Sequence, residues 1–271
     1  MGCRRRPSSG VGTYRSCRPI TGYDIVLRGF PLERRRGSHG GRRYARTPVD
    51  TSNPSNPSST PTRGHASVVP RPDYCGKRTF DVVASLGALV LSAPLWPVIA
   101  LAIRAESRGP VLYRARRVGR GGTTFTLLKF RSMRTGVGGP GVTAGSDERI
   151  TRTGRLLRKS KLDELPQFIN VLRGEMSLVG PRPEDERYLP FYSEAELAVL
   201  TVRPGITGAA AVAYRHEETV LSRAEDVETT YRTEVLPAKL ALELQYLGRR
   251  SLAADLRLLV QTALAIGRRA T

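Results

Sequence analysis

The sequence predicts an α+β protein, mainly helical: a re-entrant membrane helix-hairpin, a small cytosolic domain with a short β-hairpin, and a disordered N-terminal tail. Three observations predict it. Residues 82–103 form an uncharged run of twenty-two residues that holds Pro94 and Pro97. Residues 111–119 and 124–133 read as two strands about a Gly-Gly turn at 121–122. Beyond them, apolar residues recur mainly at helical spacing. The expected boundaries are 1–70 for the tail, 71–108 for the hairpin and 109–271 for the cytosolic domain.

The tail comes first. Residues 1–70 contain 13 Arg and only Asp24, Glu33 and Asp50 as acids, so about half of the net charge of +20 lies there. Residues 47–62 are rich in Pro, Ser and Thr and have little to bury. No apolar stretch follows the early arginines, which argues against a signal peptide. So basic a chain favours anionic partners: acidic lipid, phosphorylated substrates or nucleic acid. Cys3, Cys17 and Cys75 make no disulfide framework, which fits a reducing compartment. His39, His65 and His216 are too scattered for a zinc site, and His216 reads as a surface histidine. A bound metal would be a hard cation on carboxylate and phosphate oxygens.

The uncharged run is long enough to span a bilayer as a straight helix. Its prolines favour a bend near the middle. Both flanks are basic, with Lys77 and Arg78 before and Arg104 and Arg108 after, which draws both ends to the cytoplasmic side. A helix broken at Pro94, entering one leaflet and returning, meets both constraints. A straight span and a buried core helix are the alternatives.

Next come the two strands, and then a Gly-rich loop over 135–147 that lacks the ending of a phosphate-binding P-loop. A short basic helix is expected within 151–160. Another from about 163 to 173 places Leu165, Phe168, Ile169 and Leu172 on one stripe. Further helices are expected at 193–201, 223–247 and 251–267, with a turn at Pro204-Gly205 between the first two.

Chemistry concentrates in KLDELPQFINVLRGEMSLVGPRP, residues 161–183. The acidic pair Asp163 and Glu164 opens a helix and is flanked by Arg158, Lys159, Lys161, Arg173 and Arg182. Carboxylates held among cations suit a reaction on a phosphate ester. The plainer reading makes Asp163 a helix cap, since Ser160-x-x-Asp163 fits a capping box. Lys129 and Arg131 alternate on one strand, so they would share a face and could clamp a diphosphate; a solvated strand face is the alternative. Arg182 lies between two prolines that would preset its guanidinium for phosphate. Arg203 in VRPG has the same two readings, substrate-binding or structural turn.

Residues 77 to about 266 resemble the monotopic polyprenyl-phosphate phosphoglycosyl transferases, the bacterial sugar transferase family. The resemblance rests on KRTFDVV (77–83), the Pro-broken apolar run, GPVLYRARRVG (109–119), LLKFRSM (127–133), LRKSKLDELPQFINVLRGEMSLVGPRP (157–183) and VRPGITG (202–208). It implies a UDP-sugar donor, a polyprenol phosphate acceptor and Mg²⁺. It implies Asp163 as a nucleophile that forms a phosphosugar–aspartyl intermediate and releases UMP. Glu164, with Asp163, would bind the metal, and Lys129, Arg131, Arg158 and Arg182 would lie near the phosphates. The implied place is the cytoplasmic face of the bacterial inner membrane, on anionic lipid, at the first membrane step of polysaccharide or glycoconjugate synthesis. Downstream glycosyltransferases are then candidate partners. Many members carry a serine directly before the hairpin-breaking proline. Here the order is Ser92-Ala93-Pro94, which implies a differently stabilised kink. Larger members carry additional transmembrane helices and a further domain, so this chain reads as a minimal form.

Two other classes compete: a basic nucleic-acid-binding protein, and a non-enzymatic protein anchored by one membrane span. The first has no recognisable nucleic-acid-binding motif and leaves the uncharged run unexplained. The favoured reading expects no specific nucleic acid.

Overall fold

A computed structural model describes residues 69–134, 147–215, 217, 221–222 and 224–270. The tail expected over 1–70, apart from its last two residues, the Gly-rich loop up to residue 146, and His216 lie outside the described residues.

Helix α1 (Lys77–Ser92) and helix α2 (Leu95–Glu106) meet at a bend of 63°. The break falls at Ala93-Pro94. Pro97 sits in the first turn of α2, where its missing N–H has no intrahelical acceptor to lose, so it does not interrupt the helix. Ser92 Oγ donates to Leu89 O and accepts Trp96 Nε1 at 3.3 Å, bridging the break with a side chain. Among the described residues no single helix is long and apolar enough to cross a membrane. A buried core helix is not what forms: Val83, Val90, Leu91, Val98 and Leu101 are each at least 65% exposed.

The root of α1 is fastened by charge. Lys77 Nζ lies 2.9 Å from both Asp81 and Asp255, all three buried, and Asp81 also accepts Leu178 N. Arg78 donates to the carbonyls of Val171 and Leu172.

Strands β1 (Leu112–Val118) and β2 (Thr124–Phe130) pair antiparallel, with Leu112 opposite Phe130 and Val118 opposite Thr124. The turn between them needs φ of +69° at Gly121 and +76° at Gly122, which glycine adopts freely. Ile99 and Ile103 of α2 pack with Phe130 and Leu157, and Trp96 meets the Phe130 ring edge-on at 5.0 Å.

Helix α3 (Arg152–Ser160) is capped by Thr151 and by Glu106, whose carboxylate accepts the N–H groups of Arg152 and Thr153. A one-turn 3₁₀ segment (Leu162–Glu164) leads to helix α4 (Gln167–Arg173). The helix expected from about 163 thus starts four residues later, because Pro166 occupies its cap. Its predicted stripe is only half-buried; Gln167, Asn170 and Val171 are the buried residues.

Strands β3 (Ser177–Val179) and β4 (Gly205–Thr207) pair in parallel, a pairing the sequence reading missed. Two 3₁₀ segments, Glu186–Phe191 and Glu196–Thr201, lie between them, the second in place of the expected helix at 193–201. Short helices α5 (Ala209–Ala213) and α6 (Val227–Thr230) follow. A π-helical turn (Tyr231–Val235) joins α6 to α7 (Leu236–Leu247), and α8 (Leu252–Ala270) ends the fold. The main core gathers Leu178, Val179, Val235, Leu240, Leu247 and Leu258, with Phe80 and Ala84 of α1 packed against it.

Candidate active site

The 3₁₀ turn decides the fate of the acidic pair. Ser160 is the last residue of α3, and its Oγ donates to the carbonyls of Leu156 and Leu157, so no capping box forms. Lys161 then turns the chain with φ +60°, the one positive-φ residue other than glycine among those described. Asp163 and Glu164 follow, and both are buried.

Their surroundings differ. Glu164 Oε1 lies 3.4 Å from Lys129 Nζ and 3.5 Å from Lys161 Nζ. Burial alone would raise its pKa, but Lys129, Lys161 and Arg182 outweigh burial and hold the carboxyl well below the usual range. Asp163 Oδ1 is buried with no hydrogen-bond partner among the described residues. Burial, with the Glu164 charge adding to it, pushes its pKa up, against smaller opposing effects of Lys129, Lys161 and Arg158. Of two adjacent carboxyls, one is fixed as an anion and the other is left destabilised as one.

Of the five cations expected to bind substrate, three converge. Lys129 touches Glu164; Arg158, whose Nη1 also donates to Met133 Sδ, acts on Asp163; Arg182 acts on Glu164. The other two are placed elsewhere. Strand β2 ends at Phe130, and the terminal nitrogens of Arg131 donate to the carbonyls of Ser107 and Arg108 at 2.6 and 2.9 Å. The paired clamp with Lys129 is therefore not formed, because Arg131 closes the end of α2. Arg203 donates from Nε to Gly174 O at 2.9 Å, holding the turn after α4. Its guanidinium also lies 3.8 Å from Asp73.

Three supports of the site were not read from sequence. Asn170 Oδ1 accepts Leu128 N while Nδ2 donates to Thr126 O and Glu175, splicing α4 onto β2 and fixing Lys129 against Glu164. Its signal was a lone amide inside the apolar run FINVL. Lys239 Nζ, buried in α7, joins Glu184, Glu217 and Tyr231 Oη at 3.0 to 3.3 Å. Glu184 and Glu217 in turn help raise the Arg182 pKa, against the lowering by burial. A single Lys in LPAKLAL was the available sign. The last support is backbone proximity. A Cβ on Gly205 would sit 2.2 Å from Gly180 N, and one on Gly208 would sit 2.3 Å from Gly180 O. The glycines of GPRP and RPGITG let these two segments touch.

Comparison with known proteins identifies the family. The bacterial sugar transferase family matches residues 73–269. The chain is 41% identical over 191 residues to a UDP-glucose:undecaprenyl-phosphate glucose-1-phosphate transferase of Caulobacter vibrioides, covering 69% of this chain and 67% of that protein. It is 36% identical to the exopolysaccharide production protein PSS of Rhizobium leguminosarum, over 71% of this chain and 96% of that protein. It is 42% identical to a UDP-N-acetylgalactosamine-undecaprenyl-phosphate N-acetylgalactosaminephosphotransferase of Aeromonas hydrophila, over 55% of this chain but about a third (36%) of that longer protein. By the extent and strength of these matches, the chain belongs to the bacterial sugar transferase family.

Proposed function

We propose that the protein transfers a phosphosugar from a UDP-sugar to polyprenol phosphate through a covalent intermediate on Asp163. The supporting observation is the buried, unpartnered Oδ1 of Asp163 beside a glutamate that holds the neighbouring lysines. A poorly solvated carboxylate is a stronger nucleophile than a solvated one. An Asp163 oxygen attacks the sugar-linked β-phosphorus, the bond to the bridging oxygen breaks, and UMP leaves. An oxygen of the acceptor phosphate then attacks the same phosphorus. The bond to Asp163 breaks, freeing its carboxylate and giving polyprenyl diphosphosugar. Lys129, Lys161, Arg158 and Arg182 supply fixed positive charge where the phosphates gain negative charge.

Asp163 and Glu164 offer two hard oxygen donors, and no third acidic or imidazole ligand joins them among the described residues. That set suits Mg²⁺, which takes one or two carboxylates and completes its shell with water and substrate phosphates. When bound, it would neutralise charge on the donor diphosphate.

We further read α1 and α2 as a re-entrant hairpin, which puts the enzyme on the cytoplasmic face of the inner membrane. The bend at Pro94, the exposed apolar faces and the basic flanks support this. The deciding experiment presents a panel of UDP-sugars with polyprenol phosphate and identifies the released nucleotide. UMP, together with a phosphosugar mass on Asp163 when acceptor is withheld, is the expected result. UDP would mean ordinary glycosyl transfer and end this reading.

A further inference from the structure

We propose that a cavity beside β1 seats the acceptor, taking its phosphate and the isoprenyl unit bonded to it, with Tyr113, Arg114 and Arg131 as binding residues. This rests on the transferase reading and adds a second ligand site to it. The cavity, about half open to solvent, holds about 450 Å³ and is lined mostly by carbon from Pro110, Leu112, Tyr113, Arg114 and Arg131. That volume lies in the ordinary range for small-molecule sites.

Arg131 is the first reason. It is 2% exposed, its terminal nitrogens are spent on carbonyls, and its Nε–H is buried with no partner among the described residues. A buried charged donor left unpaired is costly, and an anionic oxygen would satisfy it. Arg114 adds an exposed guanidinium at the same cavity. A carbon lining bordered by two arginines fits a terminal phosphate monoester on a hydrocarbon chain. A nucleotide sugar, polar along its length, fits it poorly.

Position is the second reason. The carbonyls that Arg131 holds belong to Ser107 and Arg108, where α2 ends. A prenyl chain lying along the exposed apolar faces of α1 and α2 would therefore deliver its head group here. Tyr113 is the register partner of Lys129, and residues directly opposite on a ladder share a face. Lys129 reaches Glu164 at 3.4 Å. Tyr113, at the cavity, thus stands directly across the ladder from the cation that faces the acidic pair.

Tyr113→Ala and Arg114→Gln, both at exposed side chains, test this in the full chain in lipid nanodiscs. Each should raise the KM for polyprenol phosphate about tenfold while moving the KM for UDP-sugar less than about twofold. A short prenyl phosphate carrying a diazirine should label residues 110–114, and unlabelled prenyl phosphate should compete where phosphatidylglycerol does not. An unchanged acceptor KM in both variants, a rise in donor KM instead, or equal competition by phosphatidylglycerol would overturn the site. Wild-type protein that turns over with those outcomes removes this site alone. Wild-type protein that releases no UMP from any UDP-sugar removes the transferase reading and the site with it.

Discussion

Lys129 Nζ lies 3.4 Å from Glu164 Oε1, and this pair ties the β-hairpin to the turn that carries Asp163. Lys161 shares the same oxygen from 3.5 Å. The glutamate therefore absorbs the nearest cationic charge, and its neighbour keeps a bare, buried oxygen. The arrangement pairs one carboxylate with two cations and leaves an oxygen of the other unpaired among the described residues. Its consequences can be measured.

Asp163→Asn should lower turnover by about 10³-fold or more, because an amide does not attack phosphorus. It should also stabilise the fold. A carboxyl whose pKa is raised on folding prefers to be neutral there, so stability falls as pH climbs from the unfolded pKa to the folded one and stays reduced above it. The neutral amide escapes that cost. Thermal unfolding at pH 8 should show a higher Tm for the variant, and the gain should vanish below the unfolded aspartate pKa of about 3.9. A variant that is no more stable at pH 8 would mean that Asp163 is not destabilised in the fold.

The rate should carry the same signature. In the proposed mechanism Asp163 attacks only when ionised, so the acid limb of single-turnover UMP release should fall above the ordinary aspartate range. Glu164→Gln removes a like charge that holds the Asp163 pKa up. The limb should then move to lower pH, even as the plateau rate and the Mg²⁺ dependence suffer. A limb that stays in place would assign the titration to another group.

Lys161 sits at φ +60°, a conformation that costs a side-chain-bearing residue roughly 1 kcal/mol. Lys161→Gly should relieve it and raise stability by up to about that amount, less what the half-exposed pair with Glu164 contributes. Donor kcat/KM should fall about five- to tenfold, since a cation near the phosphates is lost. Full activity in the glycine variant would show that the turn, and not the ammonium, is what the site uses.

Gly208 tests the backbone junction behind Arg182. A Cβ there would lie 2.3 Å from Gly180 O and 3.0 Å from Glu243 Oε1. Gly208→Ala should cost about 1–3 kcal/mol, as overpacking does. Gly267→Ala is the matched control: outside its own helix, no atom of the described residues lies within 4 Å of the added methyl, so the gain in helix propensity should appear unopposed, at roughly 0.5–1 kcal/mol. Equal Tm values for the two variants would contradict the close approach.

Much of this fold was legible where local chemistry sets it. Gly121-Gly122 marked the hairpin turn, Pro94 marked the break, and the apolar spacing marked α7 and α8. Where long-range partners decide, the reading failed. Asp163 looked like a cap because Ser160 stood three residues before it, yet Ser160 bonds back into α3 and Pro166 delays the next helix. Arg131 and Arg203 looked like Lys129 and Arg182, since all are cations in polar motifs. Only the fold shows that two of them answer carbonyls at helix ends and do not face the acidic pair. The parallel pairing of β3 with β4 spans three residues on each side, too short for any alternation to register.

The topology of the hairpin gives the last prediction. Helices α1 and α2 break at Ala93-Pro94, and Ser92 spans the break through Leu89 O and Trp96 Nε1. A break inside lipid must have its backbone groups satisfied locally, so the sequence has to build it in. Pro94→Ala with Pro97→Ala restores the missing N–H groups and leaves an uncharged run of twenty-two residues, enough to span as one helix. Single cysteines at Thr79 and Arg108, both exposed, can be probed with an impermeant thiol reagent in a background lacking the native three. Arg108 serves better than Ser107, whose Oγ accepts from Arg131. With the prolines present, neither site should react until cells are opened. With both replaced, one flank should become reachable from outside in part of the population. Activity should fall with it, because the Arg131 contacts to Ser107 and Arg108 tie the end of α2 to the strand that bears Lys129. One flank labelled from outside in the unmutated protein would replace the hairpin with a single span.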